Sequence, residues 1–309
     1  MLISICVPVY NSELTIKELV NNIKKYLKEY SIEFILVNDG SKDDSEIICE
    51  NMAKNDPAVR FISLRKNFGE HNAVMCGLNY CTGDFVVIID DDFQNPPSEI
   101  VKLVKEAEKG FDVVYSKYHK KKHHIFRNLG SKFNDIVATW LLNKPKDLYL
   151  SSFKLIKKEV VKEIIKYTGP FPYIDGLILR VTSNISSVFV DHNIRKNNTS
   201  NYTFTKLISL WLNMFINFSV KPLRIVMFFG LIISLFCAIL AVIFIIDKLL
   251  HPAETRGWAS IRVIVLFIGG IQMIFLGIIG EYIGKQYLDI NNTPQWVVKK
   301  KVIKEKYDE

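Results

Sequence analysis

The sequence predicts an α/β domain with a mostly parallel sheet, followed by interfacial helices and a two-span transmembrane helical hairpin. Over residues 1–116, apolar segments of strand length alternate with segments in which apolar residues recur at helical spacing. This alternation is typical of βαβ units and of parallel sheets. Two long uncharged apolar runs then occur within 222–284. Because about 20 apolar residues cross the hydrocarbon core of a bilayer, these runs predict membrane spans.

Each predicted element rests on its apolar period, two for a strand and about 3.6 for a helix. The predicted strands are 3–9, 33–37, 59–63, 85–89, 112–115 and 185–190. The predicted helices are 16–27, 43–54, 70–80, 98–108, 128–142 and 157–167.

The predicted domain boundaries follow from changes in composition. They are a cytoplasmic α/β domain over 1–202, an amphipathic juxtamembrane segment over 203–221, a hairpin over 222–284 and a basic tail over 285–309. The spans themselves are predicted at about 225–246 and 263–280. Lysines and arginines flank the hairpin on both outer sides, which places both ends in the cytoplasm, although three basic residues in the loop weaken that bias.

The net charge of +8 favours an anionic partner, which nucleic acid, anionic lipid or a phosphorylated substrate would each satisfy. Nucleic acid is disfavoured because nucleic-acid binding does not explain the spans. The five cysteines show no metal-ligand spacing, so reduced, buried thiols are expected. The first residues form a predicted strand without the features of a signal peptide, which indicates a cytoplasmic N-terminal domain.

The most informative stretch is Val86–Pro97, in which an apolar run leads into Asp90, Asp91 and Asp92 before a double proline. Ligands in open α/β sheets bind at the carboxyl ends of strands. Carboxylates suit Mg²⁺ or Mn²⁺, which fill their remaining positions with water and substrate phosphate. An acidic turn is the alternative interpretation. Because side chains alternate in extended chain, Asp91 is predicted to point away from its two neighbours and to be a bystander.

Several motifs occur in a recognisable order. Val7–Asn11, Val37–Ser41, Lys66–Gly69 and Asp90-x-Asp92-x-Gln94-x-Pro96-Pro97 together resemble family 2 glycosyltransferases, which have the Rossmann-like GT-A fold. Phe218–Arg224 before one span and Gly277–Gly284 in the other are similar to polyprenyl-phosphate glycosyltransferases. The resemblance covers nearly the whole chain and is weakest at about 140–200.

The resemblance implies a role for each candidate site residue. Asp90 and Asp92 would be the catalytic carboxylates and, with Gln94, would hold the Mg²⁺ or Mn²⁺ that bridges the donor diphosphate. The nucleotide would be bound by Pro8, Tyr10, Glu13, Asp39 and Lys66. The acceptor phosphate would be bound by Lys117, Arg127, Ser131, Arg195, Ser200 and Tyr202, and the donor sugar by Asp175.

Other interpretations of these residues stay open. Tyr10 also fits a core position and Asp39 an Asx-turn, and the cluster 117–127 also fits a solvated basic loop or a patch for lipid headgroups. The chain also departs from the family pattern. Ser152-Phe153-Lys154 stands where many relatives carry Asp-Phe-Arg, and Asn198 replaces a common glycine, which leaves the role of an acid at 152 in doubt.

The implied function is the inverting transfer of one sugar from a nucleotide diphosphate sugar to undecaprenyl phosphate at the cytoplasmic face of the plasma membrane. The donor would be UDP-glucose or another UDP-hexose, and a flippase and a second glycosyltransferase would use the product for a cell-envelope glycan. The alternatives are a dolichyl-phosphate mannose synthase-like enzyme using GDP-mannose and a catalytically silent membrane scaffold. Gly230, Gly269 and Gly270 would allow close helix packing, which is compatible with a homo-oligomer.

Overall fold

The computed structural model describes residues 1–118, 139, 144, 145, 147–193, 221–250 and 258–304. The chain divides into two compact units, Met1–Thr203 with Asn292–Glu309 and, between them, Phe204–Asn291. Residues 203–220 of the predicted juxtamembrane segment and most of the predicted helix 128–142 lie outside the described residues.

The elements of the first unit follow the predicted alternation up to β5. The strands are β1 Leu2–Val9, β2 Ser31–Asn38, β3 Val59–Leu64, β4 Phe85–Ile88, β5 Val113–Tyr118, β6 Lys154–Lys157, β7 Ile185–Val190 and β8 Val298–Val302. The helices are α1 Ile16–Tyr26, α2 Ser45–Asn55, α3 Glu70–Leu78, α4 Ile100–Ala107, α5 Lys158–Ile164 and α6 Ile174–Val181. A short 3-10 turn, Pro97–Glu99, precedes α4.

The described strands form one mixed sheet in the order β7-β5-β6-β4-β1-β2-β3-β8. Strands β4, β1, β2 and β3 are parallel neighbours, as predicted. The sheet is less parallel than predicted because β6 and β8, which the sequence did not predict, each pair antiparallel with their neighbours. Both are short and carry lysines, so they lack the continuous apolar run that identifies a buried strand.

The core lies on both faces of the central strands. Ile5, Val7, Phe34 and Leu36 belong to the larger cluster of buried apolar residues, which also takes side chains from α1, α2 and α4. The intervening residues of β2 belong to a smaller cluster on the other face, with Cys76 of α3. Burial on both faces explains why these strands appear in the sequence as uninterrupted apolar runs.

The predicted tail 285–309 is not a separate segment. The second long helix continues to Ile290, and residues from Asn292 onward belong to the first unit, where β8 pairs with β3. Lys299 and Lys300 of β8 form ion pairs with Glu46 and Glu50 of α2. The lysines gave this stretch the composition of a solvated tail, whereas its pairing depends on a strand edge that only the fold supplies.

The second unit contains two long helices, α7 Lys221–Leu250 and α8 Trp258–Ile290. Each contains a window apolar enough to cross a membrane, Lys221–Leu240 and Phe267–Ile290, and neither window is buried within the structure. At 1.5 Å per residue the 30 residues of α7 extend about 45 Å, which exceeds the thickness of the hydrocarbon core. The helices overlap the predicted spans and extend beyond them at both ends.

Candidate active site

The carboxyl ends of β4, β1 and β2 meet at one edge of the sheet. Strand β1 lies between the other two, with Cys6 opposite Ile88 and Val9 opposite Asn38. The loops that follow these ends carry six of the ten predicted site residues that the structure describes, namely Tyr10, Glu13, Asp39, Asp90, Asp92 and Gln94. Parallel pairing therefore brings the predicted nucleotide and metal residues to the same edge.

The loops after β1 and β2 are joined by reciprocal hydrogen bonds. The Asn11 backbone N–H donates to Ser41 Oγ at 3.0 Å, and Lys42 N–H donates to Asn11 Oδ1 at 2.8 Å. Asn11 has φ 55°, a left-handed conformation that asparagine tolerates better than most residues. Glu13 is exposed, and its Oε2 accepts from the backbone N–H of Asp44 at 3.0 Å. Its carboxylate therefore already stabilises the turn before α2.

Asp39 is buried at the end of β2 and supports the neighbouring loop. Its carboxylate accepts the backbone N–H groups of Phe68 at 2.7 Å and Gly69 at 2.9 Å. Burial raises the pKa of Asp39, and these two N–H groups oppose the rise. Gly40 has φ 66°, and a side chain there would collide with the backbone at Asn67. The loop after β2 therefore passes very close to the loop after β3.

The Asx-turn alternative at Asp39 is wrong, because its two oxygens accept the N–H groups of Phe68 and Gly69, while the Ser41 N–H donates to Asn38 Oδ1 at 3.2 Å. Two of the predicted nucleotide residues are exposed beside it. Tyr10 is 38% exposed rather than a core residue. The Lys66 ammonium lies 5.0 Å from the centre of the Phe68 ring, and Pro8 is half-buried within β1.

Asp90 faces β6, which neighbours β4 on the side away from β1. Ser152, just before β6, donates a hydrogen bond from its hydroxyl to Asp90 Oδ2 at 2.6 Å. Burial raises the pKa of Asp90 to about 7, and the negative charge of Glu70 adds to the rise while the Ser152 hydrogen bond opposes it. Ser152 therefore stands beside the carboxylate and donates to it.

Asp91 points in another direction and has a partner of its own. Its carboxylate accepts a hydrogen bond from Ser12 Oγ in the loop after β1. The backbone N–H of Ser12 donates in turn to Ser45 Oγ at 2.7 Å. Burial raises the pKa of Asp91 to about 7. The predicted alternation of Asp90 and Asp91 is correct, but Asp91 is no bystander, because it ties the β4 loop to the β1 loop.

The turn after the carboxylates is tight. Asp92 Oδ1 accepts the backbone N–H of Gln94 at 3.0 Å. Between them Phe93 has φ 58°, a strained conformation for a bulky residue, and its side chain is 9% exposed in the main core. The Gln94 carbonyl accepts the backbone N–H of Asn193 at 2.9 Å. Packing of Phe93 and the two hydrogen bonds hold Asp92 and Gln94 in place.

The residues present fit a divalent cation. The described part of the chain contains no group of three or more His, Cys, Asp or Glu side chains placed to hold a metal ion. Mg²⁺ and Mn²⁺ bound at nucleotide sites need only one or two protein carboxylates. Burial and the negative charges of Glu70 and Asp92 raise the pKa of Asp90, a cost that a cation beside Asp90 and Asp92 would relieve.

A cavity of about 100 Å³ lies next to Asp90 and Ser152. It is lined by Glu70, His71, Val74, Ile88, Ser152, Lys154, Tyr173, Ile174 and Asp175. Charged and hydrogen-bonding side chains make up most of this lining. The walls come from α3, the start of β6 and the start of α6, which are far apart in the sequence.

Asp175 and Lys154 form a buried ion pair in the cavity wall. The Tyr115 hydroxyl donates to the same Asp175 oxygen at 2.8 Å, and the Lys154 ammonium lies 5.1 Å from the centre of the Tyr115 ring. A buried lysine and a buried aspartate each require such a partner. The cavity thus holds a fixed cation and a fixed anion.

His71 of α3 also lines the cavity, and its ring packs edge-on against that of Tyr173, with the ring centres 5.2 Å apart. Burial lowers the pKa of His71 to about 4, so the imidazole is neutral at physiological pH. Burial and the nearby carboxylates raise the pKa of Glu70 in spite of the positive charge of Lys154. The neutral imidazole of His71 therefore offers one nitrogen that donates and one that accepts a hydrogen bond.

Of the predicted acceptor-phosphate residues, the structure describes only Lys117, at the end of β5, with its ammonium 5.4 Å from the centre of the Phe189 ring. The others lie outside the described residues. They are Arg127, Ser131, Arg195, Ser200 and Tyr202.

Residues 4–165 match the family described as glycosyl transferase family 2. The chain belongs to this family. The SfII prophage-derived bactoprenol glucosyl transferase of Shigella flexneri is 32% identical over 309 residues, which cover 97% of this chain and 98% of the relative. The undecaprenyl-phosphate 4-deoxy-4-formamido-L-arabinose transferase of Proteus mirabilis (strain HI4320) is also 32% identical, over 97% of this chain and 94% of the relative.

Among solved structures, glucosyl-3-phosphoglycerate synthase from Mycobacterium tuberculosis, crystallised with Mn²⁺, UDP and phosphoglyceric acid, has a similar fold. The TM-score is 0.50 at 21% identity, covering 69% of this chain and 74% of the other. The predicted GT-A fold is thus confirmed for this family 2 glycosyltransferase.

The sequence did not predict that four residues line the same cavity. They are Glu70, Ser152, Lys154 and Tyr173. Ser152 and Lys154 were noticed only as departures from the family pattern. Tyr173 adjoins Asp175 in the sequence, which was the only local signal. Glu70 gave none, because an acid in the first turn of a helix is ordinary.

Proposed function

We propose that this glycosyltransferase transfers a single sugar from a UDP-hexose, such as UDP-glucose, to undecaprenyl phosphate, with inversion at the anomeric carbon. The observation that carries the proposal is the placement of Asp90 and Asp92 after β4, with Asp90 hydrogen-bonded to the cavity residue Ser152, in a chain whose two apolar helices are long enough to cross a membrane. The relatives named for transfer to bactoprenol or undecaprenyl phosphate support the acceptor class.

The donor nucleotide would lie across the carboxyl ends of β1 and β2. The exposed Tyr10 and Lys66 are available to the base and the phosphates. Asp39 would act mainly by holding the Phe68–Gly69 backbone, because both its oxygens accept N–H groups there. Glu13 and Pro8 would shape the edge of the same site.

Asp90 and Asp92, with Gln94, would hold a divalent metal ion. A cation here supplies charge neutralisation for the leaving diphosphate. The similar Mycobacterium tuberculosis enzyme was crystallised with Mn²⁺, which supports dependence on a divalent cation. Asp91 would hold the loop and leave coordination to its neighbours.

The donor sugar would occupy the cavity beside Asp90. Hydroxyl groups donate and accept hydrogen bonds, and the cavity offers both kinds of partner in Ser152, His71 and Tyr173. Lys154, the only lysine or arginine in the cavity lining, is already paired with Asp175, so the lining leaves no unpaired cation for a sugar carboxylate, which favours a neutral hexose.

The acceptor phosphate needs cations to place it and no general base, because it is already ionised near neutral pH. We assign this task to Lys117, Arg127, Ser131, Arg195, Ser200 and Tyr202 on the resemblance to the family. The phosphate oxygen would attack the anomeric carbon directly while the bond from that carbon to the UDP oxygen breaks on the opposite face, and this single displacement accounts for inversion.

Connectivity supports a hairpin with both ends on one side of the membrane. Strand β8 follows the second apolar helix in sequence but belongs to the sheet of the first unit. With two spans between β7 and β8, both outer ends must lie on the side of the catalytic unit. We place that side in the cytoplasm, at the inner membrane, where a flippase and a second glycosyltransferase would take over the product. A homo-oligomer stays part of the proposal.

The test is a transfer assay with the full chain in detergent or nanodiscs, undecaprenyl phosphate, and radiolabelled UDP-glucose or GDP-mannose. We expect a labelled lipid product from UDP-glucose, with loss of activity in EDTA and recovery on adding Mg²⁺ or Mn²⁺. A product from GDP-mannose alone would favour the mannose synthase alternative. Absence of turnover with a broad panel of nucleotide sugars would favour the scaffold alternative.

A further inference from the structure

Gln295, which follows the second apolar helix in sequence, is built into the catalytic unit. Its side chain is 6% exposed, and its Nε2 donates to two backbone carbonyls, that of Tyr167 at 2.8 Å and that of Gly169 at 2.6 Å. Both protons of the amide are therefore used on one loop, the segment 167–173 between α5 and α6.

This loop depends on donors from elsewhere. Pro170 and Pro172 have no backbone N–H, so the loop has few donors of its own. Buried backbone carbonyls are nearly always hydrogen-bonded in folded proteins. Gln295, which lies near the C-terminus, supplies hydrogen-bond donors to two carbonyls of this loop.

The loop leads directly into one wall of the cavity beside Asp90. Tyr173, its last residue, packs against His71, and Asp175 in the first turn of α6 pairs with Lys154. Both residues line the cavity together with Ser152, which donates to Asp90. A shift of the loop would therefore move the wall that faces the donor sugar.

Gln295 is itself held firmly. The Val297 carbonyl accepts the backbone N–H of Arg65 at 2.9 Å, and Trp296 packs against the smaller core cluster. The Oε1 atom of Gln295 is buried and has no hydrogen-bond partner among the described residues. An orphaned acceptor is costly, so a glutamine at this position is best explained by the two hydrogen bonds that its amide nitrogen donates.

We propose that Gln295 is a positioning residue for the donor-sugar pocket, because it fixes the loop 167–173 that carries Tyr173 and leads to Asp175. The inference rests on the proposed function, since it takes the cavity as the site of the donor sugar. Gln295 acts through the loop and does not touch the substrate. The segment after the membrane helices thus contributes to donor binding.

The experiment compares the binding of UDP-glucose and of UDP to the full chain in nanodiscs with Mn²⁺, by calorimetry, for the wild type and Q295M. Methionine keeps the volume and removes both donors. We expect Q295M to bind UDP-glucose about tenfold more weakly while UDP binding changes less than about twofold, because only the sugar contacts the displaced wall. The KM for UDP-glucose should rise in parallel.

K299A is the matched control. It removes the ion pair between β8 and Glu46 but leaves the Gln295 hydrogen bonds in place, so it reports the effect of loosening the strand alone. We expect K299A to keep the wild-type ratio of the two dissociation constants. Q295E keeps the length of the side chain and places carboxylate oxygens against the two carbonyls, so it should weaken UDP-glucose binding at least as much as Q295M.

An unchanged ratio of UDP-glucose to UDP affinity in Q295M and Q295E would overturn the inference and leave the proposed function intact. An equal change in K299A would also overturn it, since the effect would then belong to the strand. If the wild type binds neither UDP-glucose nor UDP, but binds GDP-mannose and GDP, the same comparison is made with that pair. A wild type that binds no nucleotide sugar refutes the proposed function and the inference together.

Discussion

Ser152 donates a 2.6 Å hydrogen bond to Asp90, although the two residues are far apart in the sequence. Antiparallel pairing of β4 with β6 brings them together, with Ile88 opposite Lys154. The family resemblance had implied an acid at the position of Ser152. In this chain the position supplies a donor that orients a proposed metal ligand, and the nearby acid is Glu70 of α3.

S152A tests this relationship. Removing the hydroxyl leaves Asp90 without the hydrogen bond that orients it, and loss of such a partner of a metal ligand typically costs about 10–100-fold in metal affinity or activity. We expect a higher Mn²⁺ concentration for half-maximal transfer. S31A, at an exposed position on β2, is the control and should titrate with Mn²⁺ like the wild type. Equal Mn²⁺ dependence in S152A and the wild type would contradict the assigned role.

Isosteric asparagine substitutions at Asp90, Asp91 and Asp92 should separate their roles. D90N and D92N each remove a carboxylate from the proposed cation site and should reduce turnover by about 100-fold or more. D91N keeps an oxygen that accepts the Ser12 hydroxyl, so its loss should not exceed about fivefold. Initial rates at saturating Mn²⁺ provide the comparison. A loss in D91N as large as in D92N would mean that Asp91 is also a ligand.

The buried pair of Lys154 and Asp175 makes a prediction about stability. K154M leaves the Asp175 carboxylate buried with only the Tyr115 hydroxyl, and breaking such a pair costs about 3–5 kcal/mol. The double variant K154M/D175N removes both charges and should recover part of that loss. Chemical denaturation of the purified protein measures both. The single variant D175N completes the cycle. If the loss of unfolding free energy in K154M/D175N equals the sum of the losses in K154M and D175N, the two residues are not coupled.

The contact between β8 and α2 should depend on pH. Hydrogen bonds from Lys300 and then Lys54 lower the pKa of Glu50 from 4.5 to about 2. Because the pKa is lower in the folded state, this contribution to stability is complete above about pH 4.5 and is lost as the pH falls towards 2. The melting temperature of K300A should therefore lie below that of the wild type at pH 7, and the gap should narrow towards pH 3. K301A, changed at an exposed lysine of the same strand, should show no such narrowing.

Strand β8 follows the two apolar helices but pairs with β3 in the first unit. We therefore expect the N-terminus and the C-terminus to lie on the same side of the membrane. Epitope tags at the N-terminus and the C-terminus should be reached by protease from the same side of sealed vesicles. A tag inserted between residues 251 and 257 should be reached from the opposite side. Protection of only one terminal tag would contradict the hairpin.

Much of the fold could be predicted from the sequence, because the central strands β1 to β4 are buried on both faces and therefore appear as short apolar runs. The apolar helices were predicted for a related reason, since an uncharged run of this length has few other stable environments. Strands β6 and β8 were missed because both are rich in lysine. Their pairing depends on neighbouring edges, whose existence no local pattern reveals.

The positions of the candidate site residues could be predicted in part, and their roles stay predictions. Asp90, Asp92 and Asp39 follow strand ends, and parallel neighbours place such ends together, so local pattern was enough. The sequence by itself thus determined the α/β alternation, the two apolar helices and the carboxylates at the end of β4, because each depends on the order of residues along the chain. Tertiary structure alone decided three contacts. Asp91 accepts a hydrogen bond from Ser12, Lys154 forms an ion pair with Asp175, and Gln295 donates hydrogen bonds to the loop 167–173. Those contacts join segments far apart in sequence, and only packing of the sheet and its helices brings them within hydrogen-bonding distance.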